Sequence, residues 1–201
     1  FSVVKIGSQC KVLMKILSRY LVFLVALLSM SGLFGQQTYL DNFGNTSYSN
    51  NNGNSNFSTN WDEDNDGDSP SGGNIRITGN RLRFDELDNN DRIRRYLNLD
   101  GATAVTLTLD YDADDRGNEG LNVQLWNNST SSWQTISSIN SSNSGTISHT
   151  LTAAQISSNS AIRFVSNSNG WGNNERIYID NVLFTAIFNP VIVVDDVTVN
   201  E

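Results

Sequence analysis

Three aspartates at alternate positions, Asp62, Asp64 and Asp66, lie in Trp61-Asp-Glu-Asp-Asn-Asp-Gly-Asp68, with Gly67 to turn the backbone and Asp68 behind it. Carboxylates spaced this way supply the hard oxygen ligands that wrap a Ca²⁺ ion. An EF-hand loop starting at Asp62 needs a bidentate Glu at its twelfth position, where this chain has Gly73, so a later carboxylate would have to complete the shell. A solvated acidic loop is the plainer use of the same residues. A second acidic cluster, Asp110, Asp112, Asp114, Asp115 and Glu119, surrounds Arg116-Gly117 and could hold an ion, though a solvated turn is the plainer reading.

Four tryptophans raise a different chemistry, because flat aromatic faces stack on pyranose rings while Asn, Asp and Arg bond the hydroxyls. Trp126 follows Leu121, Val123 and Leu125 but falls on the opposite face, beside Asn122 and Gln124, which makes it the first candidate to meet a ligand. Trp171, in the loop Ser168-Asn-Gly-Trp-Gly-Asn-Asn174, is the second. Trp133 is expected to pack inward at the start of its strand. Core or rim packing is the commoner use of all four.

Catalytic chemistry has little to work with. The single histidine, His149, sits in Thr146-Ile-Ser-His-Thr-Leu151 with no nucleophile motif around it. The chain has no His/Cys cluster for zinc and no glycine-rich phosphate loop opening a helix. Paired carboxylates for glycoside hydrolysis meet only in space and leave no mark in a sequence. The expectation is a protein that is not an enzyme.

The elements that must position these residues are short and alternating. Strands are expected over Asn74–Thr78, Arg81–Phe84, Arg92–Leu97, Ala104–Tyr111, Leu121–Trp126, Trp133–Ile139, Thr146–Leu151, Ala161–Val165 and Arg176–Phe184, separated by Gly, Asn, Asp and Ser clusters with turn chemistry. No segment carries a sustained helical period, and Leu151–Ile156 has room for one helical turn at most. Alternation assigns Val105, Leu107, Leu109 and Tyr111 to the core, with Leu121, Val123, Leu125, Ile162, Phe164, Ile177, Ile179 and Leu183. Residues 42–60 are rich in Asn and Ser but carry Phe43, Tyr48 and Phe57, so they read as a long loop or meandering first strand pinned by these rings, with a flexible tip around 50–56.

Asp41-Asn-Phe43, Trp61, Gly73-Asn-Ile-Arg-Ile-Thr-Gly-Asn-Arg-Leu-Arg-Phe84, Tyr96-Leu-Asn-Leu-Asp-Gly101, Ala161-Ile-Arg-Phe164 and Ile177-Tyr-Ile-Asp-Asn-Val182 come in a telling order. Together they resemble the MAM-like jelly-roll modules appended to secreted bacterial proteases, glycosidases and adhesins, over residues 38–188. Those modules often read Asp-Gly-Gly-Ser-Trp where this chain has Asn127-Asn-Ser-Thr-Ser-Ser-Trp133, which keeps the Trp without the glycines. The resemblance implies an all-β, two-sheet antiparallel jelly-roll β-sandwich, a non-catalytic role, and a structural calcium where the first and last strands meet. On this sequence that site would use Asp41 and Asp180. Arg163 or Arg176 is the alternative partner for Asp180. The tail Val191-Ile-Val-Val-Asp-Asp-Val-Thr-Val-Asn-Glu201 resembles the first strand of a Calx-β domain, or is an ordinary final strand.

The N-terminus has the form of a secretory signal peptide: Lys15 and Arg19 precede the apolar run 21–28, and Gly35 offers a cleavage point before Gln36. The run is short of the roughly 20 residues a spanning helix needs. The expected organisation is an over-extended start at 1–13, a signal peptide at 14–35, the sandwich module at 36–188, and a linker with the first strand of a following domain at 189–201. All lysines and the one cysteine lie ahead of residue 36, so the remainder sets nine arginines against twenty-one acidic residues, a net charge of −12. That charge disfavours nucleic acid and anionic membranes as partners. With no disulfide available, stability must come from a hydrophobic core, from calcium, or from both.

These features lead to the expectation of a calcium-stabilised adhesion module of a secreted or cell-surface protein, with further sandwich domains downstream and no membrane insertion of its own. The alternative is a carbohydrate-binding module targeting a polysaccharide.

Overall fold

The computed structural model describes residues 35–65, 69–114, 119–168 and 170–189. The expected signal segment, the expected start of a second domain, and Asp66 and Asp68 lie outside the described residues.

Strands form where the sequence alternates. The two longest are β6 (Ala102–Asp114) and β11 (Arg176–Phe188), and they pair antiparallel along most of their length. The far edge of β11 is shared by β4 (Arg81–Asp85), which pairs its first residues, and β1 (Gly35–Asp41), which pairs its second half. β3 (Ile75–Thr78) flanks β4, and β9 (Ser144–Thr150) flanks β6, which completes the first sheet. The second sheet runs β2 (Asp62–Asp64), β5 (Arg92–Leu97), β10 (Ser160–Ser166), β7 (Leu121–Asn127), β8 (Ser132–Ile139), again antiparallel throughout. Two antiparallel sheets with these crossovers are consistent with a jelly-roll sandwich. A single turn of 3₁₀ helix, Ala153–Gln155, sits where the sequence left room for one. Among the described residues no helix is long and apolar enough to cross a membrane.

The inner faces meet in one core. Leu107 and Leu109 from the first sheet and Val123, Leu125 and Ile162 from the second are all buried in it. Phe84 and Phe164 join the sheets edge to face, with ring centroids 5.8 Å apart. Leu183 departs from its expected place. The β6–β11 register shifts between Asp180 and Leu183, where Asn181 takes φ 50°. One extra residue reverses the side-chain parity beyond it, so Val182, Phe184 and Ala186 are buried and Leu183 faces outward.

The Asn/Ser-rich segment 42–60 is pinned as its aromatics suggested. Phe43 and Phe57 are buried, and the Tyr48 hydroxyl donates to the Ile75 carbonyl at 2.9 Å. The expected flexible tip is tied down by hydrogen bonds from Asn52 N–H to the Leu40 carbonyl and from Ser55 N–H to the Thr38 carbonyl. Gly53 lies so close to β1 that a Cβ there would stand 2.0 Å from the Thr38 carbonyl oxygen.

Candidate functional site

The outer face of the second sheet concentrates aromatic and polar side chains in three rows, set by strand register. Across the middle run Asp62, Arg94, Arg163, Gln124 and Thr135, each opposite the next on the neighbouring strand. Two residues along the strands run Asp64, Arg92, Val165, Asn122 and Ser138. On the other side Tyr96 pairs Ala161, and Trp126 pairs Trp133 one position beyond the Ile162–Leu125 pair. Ala161 is only 2% exposed and has no side chain beyond Cβ, so it forms a floor between Tyr96 on β5 and Trp126 on β7. Two strand spacings separate those aromatics, about 10 Å.

Each polar member is held in place. The Gln124 Nε2 donates to Thr135 Oγ1 at 2.9 Å, and its Oε1 accepts from Arg163 Nε at 2.5 Å. The Arg163 guanidinium lies over the Trp133 ring, 4.5 Å from its centroid, and Trp133 meets Trp126 edge to face. Asp62 takes two bonds from Arg94, at 3.0 and 2.8 Å, and Asp64 pairs with Arg92. The Asp62 hydrogen bond raises the Arg94 pKa, whereas burial pushes Arg163 down to about 10, with Arg92 and Arg94 adding repulsion. Arg163 is still a cation at neutral pH.

Of the proposed calcium ligands in the acidic triplet, Asp62 and Asp64 therefore stand in a strand, paired with arginines across a ladder, and not in a loop. Asp41 is bonded on both oxygens within the fold. Its Oδ1 accepts from Phe43 N–H at 2.9 Å and Asn50 Nδ2 at 3.3 Å. Its Oδ2 accepts from Trp61 Nε1 at 2.9 Å and Arg95 Nη1 at 2.5 Å. Both Asp41 and Arg95 are fully buried. Four donors fill the lone pairs of that carboxylate, so its partner is a guanidinium. Arg95 also donates to the Thr59 carbonyl and stacks on Phe57. Asp180 lies opposite Asp110 on β6, accepts from Asn181 N–H at 2.7 Å, and is raised by burial and then by the charge of Asp110, with a smaller push from Asp41. Among the described residues no three His, Cys, Asp or Glu side chains are grouped to hold an ion.

Trp126 is on the outer face as expected. Trp171 is not: it is 4% exposed, part of the core, and offers no stacking face. Trp133 moves the other way, from expected core to outer face, for the same reason as Leu183. A register shift separates Val123–Ser137 from Gln124–Thr135, and the extra residue, Ile136, reverses parity between the buried Ile139 and Trp133. Arg163, Arg94 and Tyr96 were missed as site residues. The signal was present for Arg163, which alternates with the apolar Ile162 and Phe164, whereas Arg94 and Tyr96 flank Arg95, a charged residue at an inward position that breaks the alternation of its strand.

No family model matches the chain and no curated protein matches it, so neither the MAM-like nor the Calx-β resemblance is confirmed. Solved structures do align. A mutant of a family 29 carbohydrate-binding module matches over 76% of this chain and 92% of its own, at 13% identity and a TM-score of 0.46. Another family 29 carbohydrate-binding module matches over 75% and 89%, at 12% identity and a TM-score of 0.44. The CBM22-1–GH10 modules of an endo-1,4-β-D-xylanase from Clostridium thermocellum, complexed with xylohexaose, match over 53% and 22%, at 13% identity and a TM-score of 0.39. At these scores the likeness says nothing about the ligand of this chain.

Proposed function

We propose that this chain is a non-catalytic carbohydrate-binding module whose polysaccharide ligand lies across the outer face of the β2-β5-β10-β7-β8 sheet. The observation that supports this is the Tyr96–Ala161–Trp126 row: two aromatic side chains flank a floor with no bulk of its own. Arg163, Gln124 and Asn122 supply fixed hydrogen-bond groups in the adjoining rows. Apolar ring faces bind the C–H faces of a sugar, and a few placed polar groups read its hydroxyls. Trp133 and Thr135 hold the readers in position through Arg163 and Gln124. A rigid face of this kind loses little conformational entropy on binding.

The test is affinity electrophoresis and calorimetry of the protein on a panel of soluble plant, algal and bacterial polysaccharides. At least one polymer is expected to bind, and Trp126→Ala is expected to weaken that binding tenfold or more, about 1.4 kcal/mol. Binding that survives Trp126→Ala and Tyr96→Ala unchanged, or no binding to any polymer, would sink the proposal.

A further inference from the structure

We infer that the ligand of this face is an acidic glycan, a polysaccharide bearing carboxylate or sulfate groups, one of which seats on the Nη nitrogens of Arg163. This rests on reading the face as a sugar site.

The argument starts from pairing. Four arginines lie on the strands of the second sheet. Arg92 has Asp64, Arg94 has Asp62 and Arg95 has Asp41. Among the described residues Arg163 has no carboxylate. Scarcity of acid does not explain this in a chain with more than twice as many acidic residues as arginines beyond residue 35. Where Arg94 meets Asp62, Arg163 meets the neutral amide of Gln124.

Preorganisation is the second strand. Arg163 uses Nε for Gln124 and has its Cζ over the Trp133 ring, so its position is set from two sides. Its two terminal nitrogens have no acceptor among the described residues. A guanidinium held this way presents a fork of parallel N–H donors, which matches two oxygens of a carboxylate or sulfate. A neutral hydroxyl would use one arm of it.

The third is the local field. Arg92 and Arg94 flank Arg163 on the β5 side, and their charge adds to the burial that already disfavours its cationic form. An anion bound at Arg163 relieves both costs. The −12 net charge of residues 36–201 acts at longer range, and screening at physiological salt, over about 8 Å, leaves the close contacts in control.

The test compares polymers with the same backbone and different charge: polygalacturonate against its carboxyl-reduced form, and carrageenan against its desulfated form, at about 0.15 M salt. Expected is binding to at least one acidic polymer, with its neutral counterpart tenfold weaker or worse. Arg163→Gln should bring acidic binding down to the neutral level, Arg163→Lys should keep part of it, and Arg81→Gln, on the other sheet, should change nothing. Which acidic arm binds tells carboxylate from sulfate. Should Arg163→Gln fail to fold by its melting curve, the charged-against-neutral comparison on the unaltered protein still decides. Equal binding of charged and neutral forms, or full binding by folded Arg163→Gln, overturns the inference. If that binding is still lost in Trp126→Ala, the sugar site itself stands. No binding to any polymer, neutral ones included, removes both.

Discussion

Trp126 and Trp133 stand directly opposite each other across the β7–β8 ladder, with ring centroids 5.4 Å apart and ring planes at 69°. Edge-to-face pairs of this kind contribute about 0.5–1.5 kcal/mol beyond their area. Here the pair also braces Arg163, so the two rings act as a unit. Trp133→Ala is expected to weaken polysaccharide binding although Trp133 supports more than it touches. The double variant is expected to lose less than the sum of the singles, by about 0.5–1.5 kcal/mol in a calorimetric double-mutant cycle. Strict additivity would mean that the rings act independently.

The floor at Ala161 gives a separate prediction. A leucine there adds bulk on the outer face between Tyr96 and Trp126, away from the core, so the fold should tolerate it while the ligand is excluded. Expected is a tenfold or greater loss of affinity with a melting temperature close to that of the unaltered protein. A large drop in melting temperature would instead place that side chain inside the sandwich.

Asp41 and Arg95 form an ion pair from which water is fully excluded. Removing one partner leaves a buried charge uncompensated, and Asp41→Ala or Arg95→Ala is expected to cost about 3–5 kcal/mol in denaturant unfolding. Because the partner of Asp41 is a guanidinium, EDTA should not reproduce the loss in the unaltered protein. A chelator effect as large as the mutation would make Asp41 a metal ligand after all.

Asp180 carries a pKa raised above its unfolded value, chiefly by burial and then by Asp110. The folded state therefore holds a proton that the unfolded state has released, and stability falls as pH rises from the ordinary aspartate range through the raised pKa. Asp180→Asn removes the half-buried charge and keeps an acceptor for Asn181 N–H. It is expected to melt higher than the unaltered protein at pH 7, with the difference gone at about pH 3, below the ordinary aspartate pKa, where both are neutral. A variant that melts lower at pH 7 would show that the charge of Asp180 is used.

Gly53 has no room for a side chain, since the Thr38 carbonyl of β1 occupies the place of its Cβ. Gly53→Ala is expected to push segment 50–56 off β1 and to lower stability by roughly 1–3 kcal/mol. Faster amide exchange at Asn52 and Ser55, whose N–H groups bond to β1, would report it.

Much of the fold can be read from alternation. In β6, Val105, Leu107 and Leu109 are apolar every second residue because one side of a pleated strand is dry, and all three are buried. The same rule put Trp126 on the outer face. It fails at Trp133 and Leu183, where a bulge inserts one residue and reverses every side chain beyond it. A bulge depends on how two strands pair, and Ile136 and Asn181 carry no local mark of it.

By itself, the sequence determined that this protein is all-β, strongly acidic beyond its first segment, and without the cysteines to cross-link it. Composition and period follow from residue order, and no partner strand is needed to read them. Only the tertiary structure decided which polar residues meet. Asp41 finds Arg95, 54 residues away, and Asp62 and Asp64 find Arg94 and Arg92 across a ladder. Tyr96, Ala161 and Trp126 come together because β10 enters between β5 and β7, a pairing made by register across distant segments. A carboxylate can be satisfied by an ion, by water or by a guanidinium, and the choice falls to whichever the fold brings within reach.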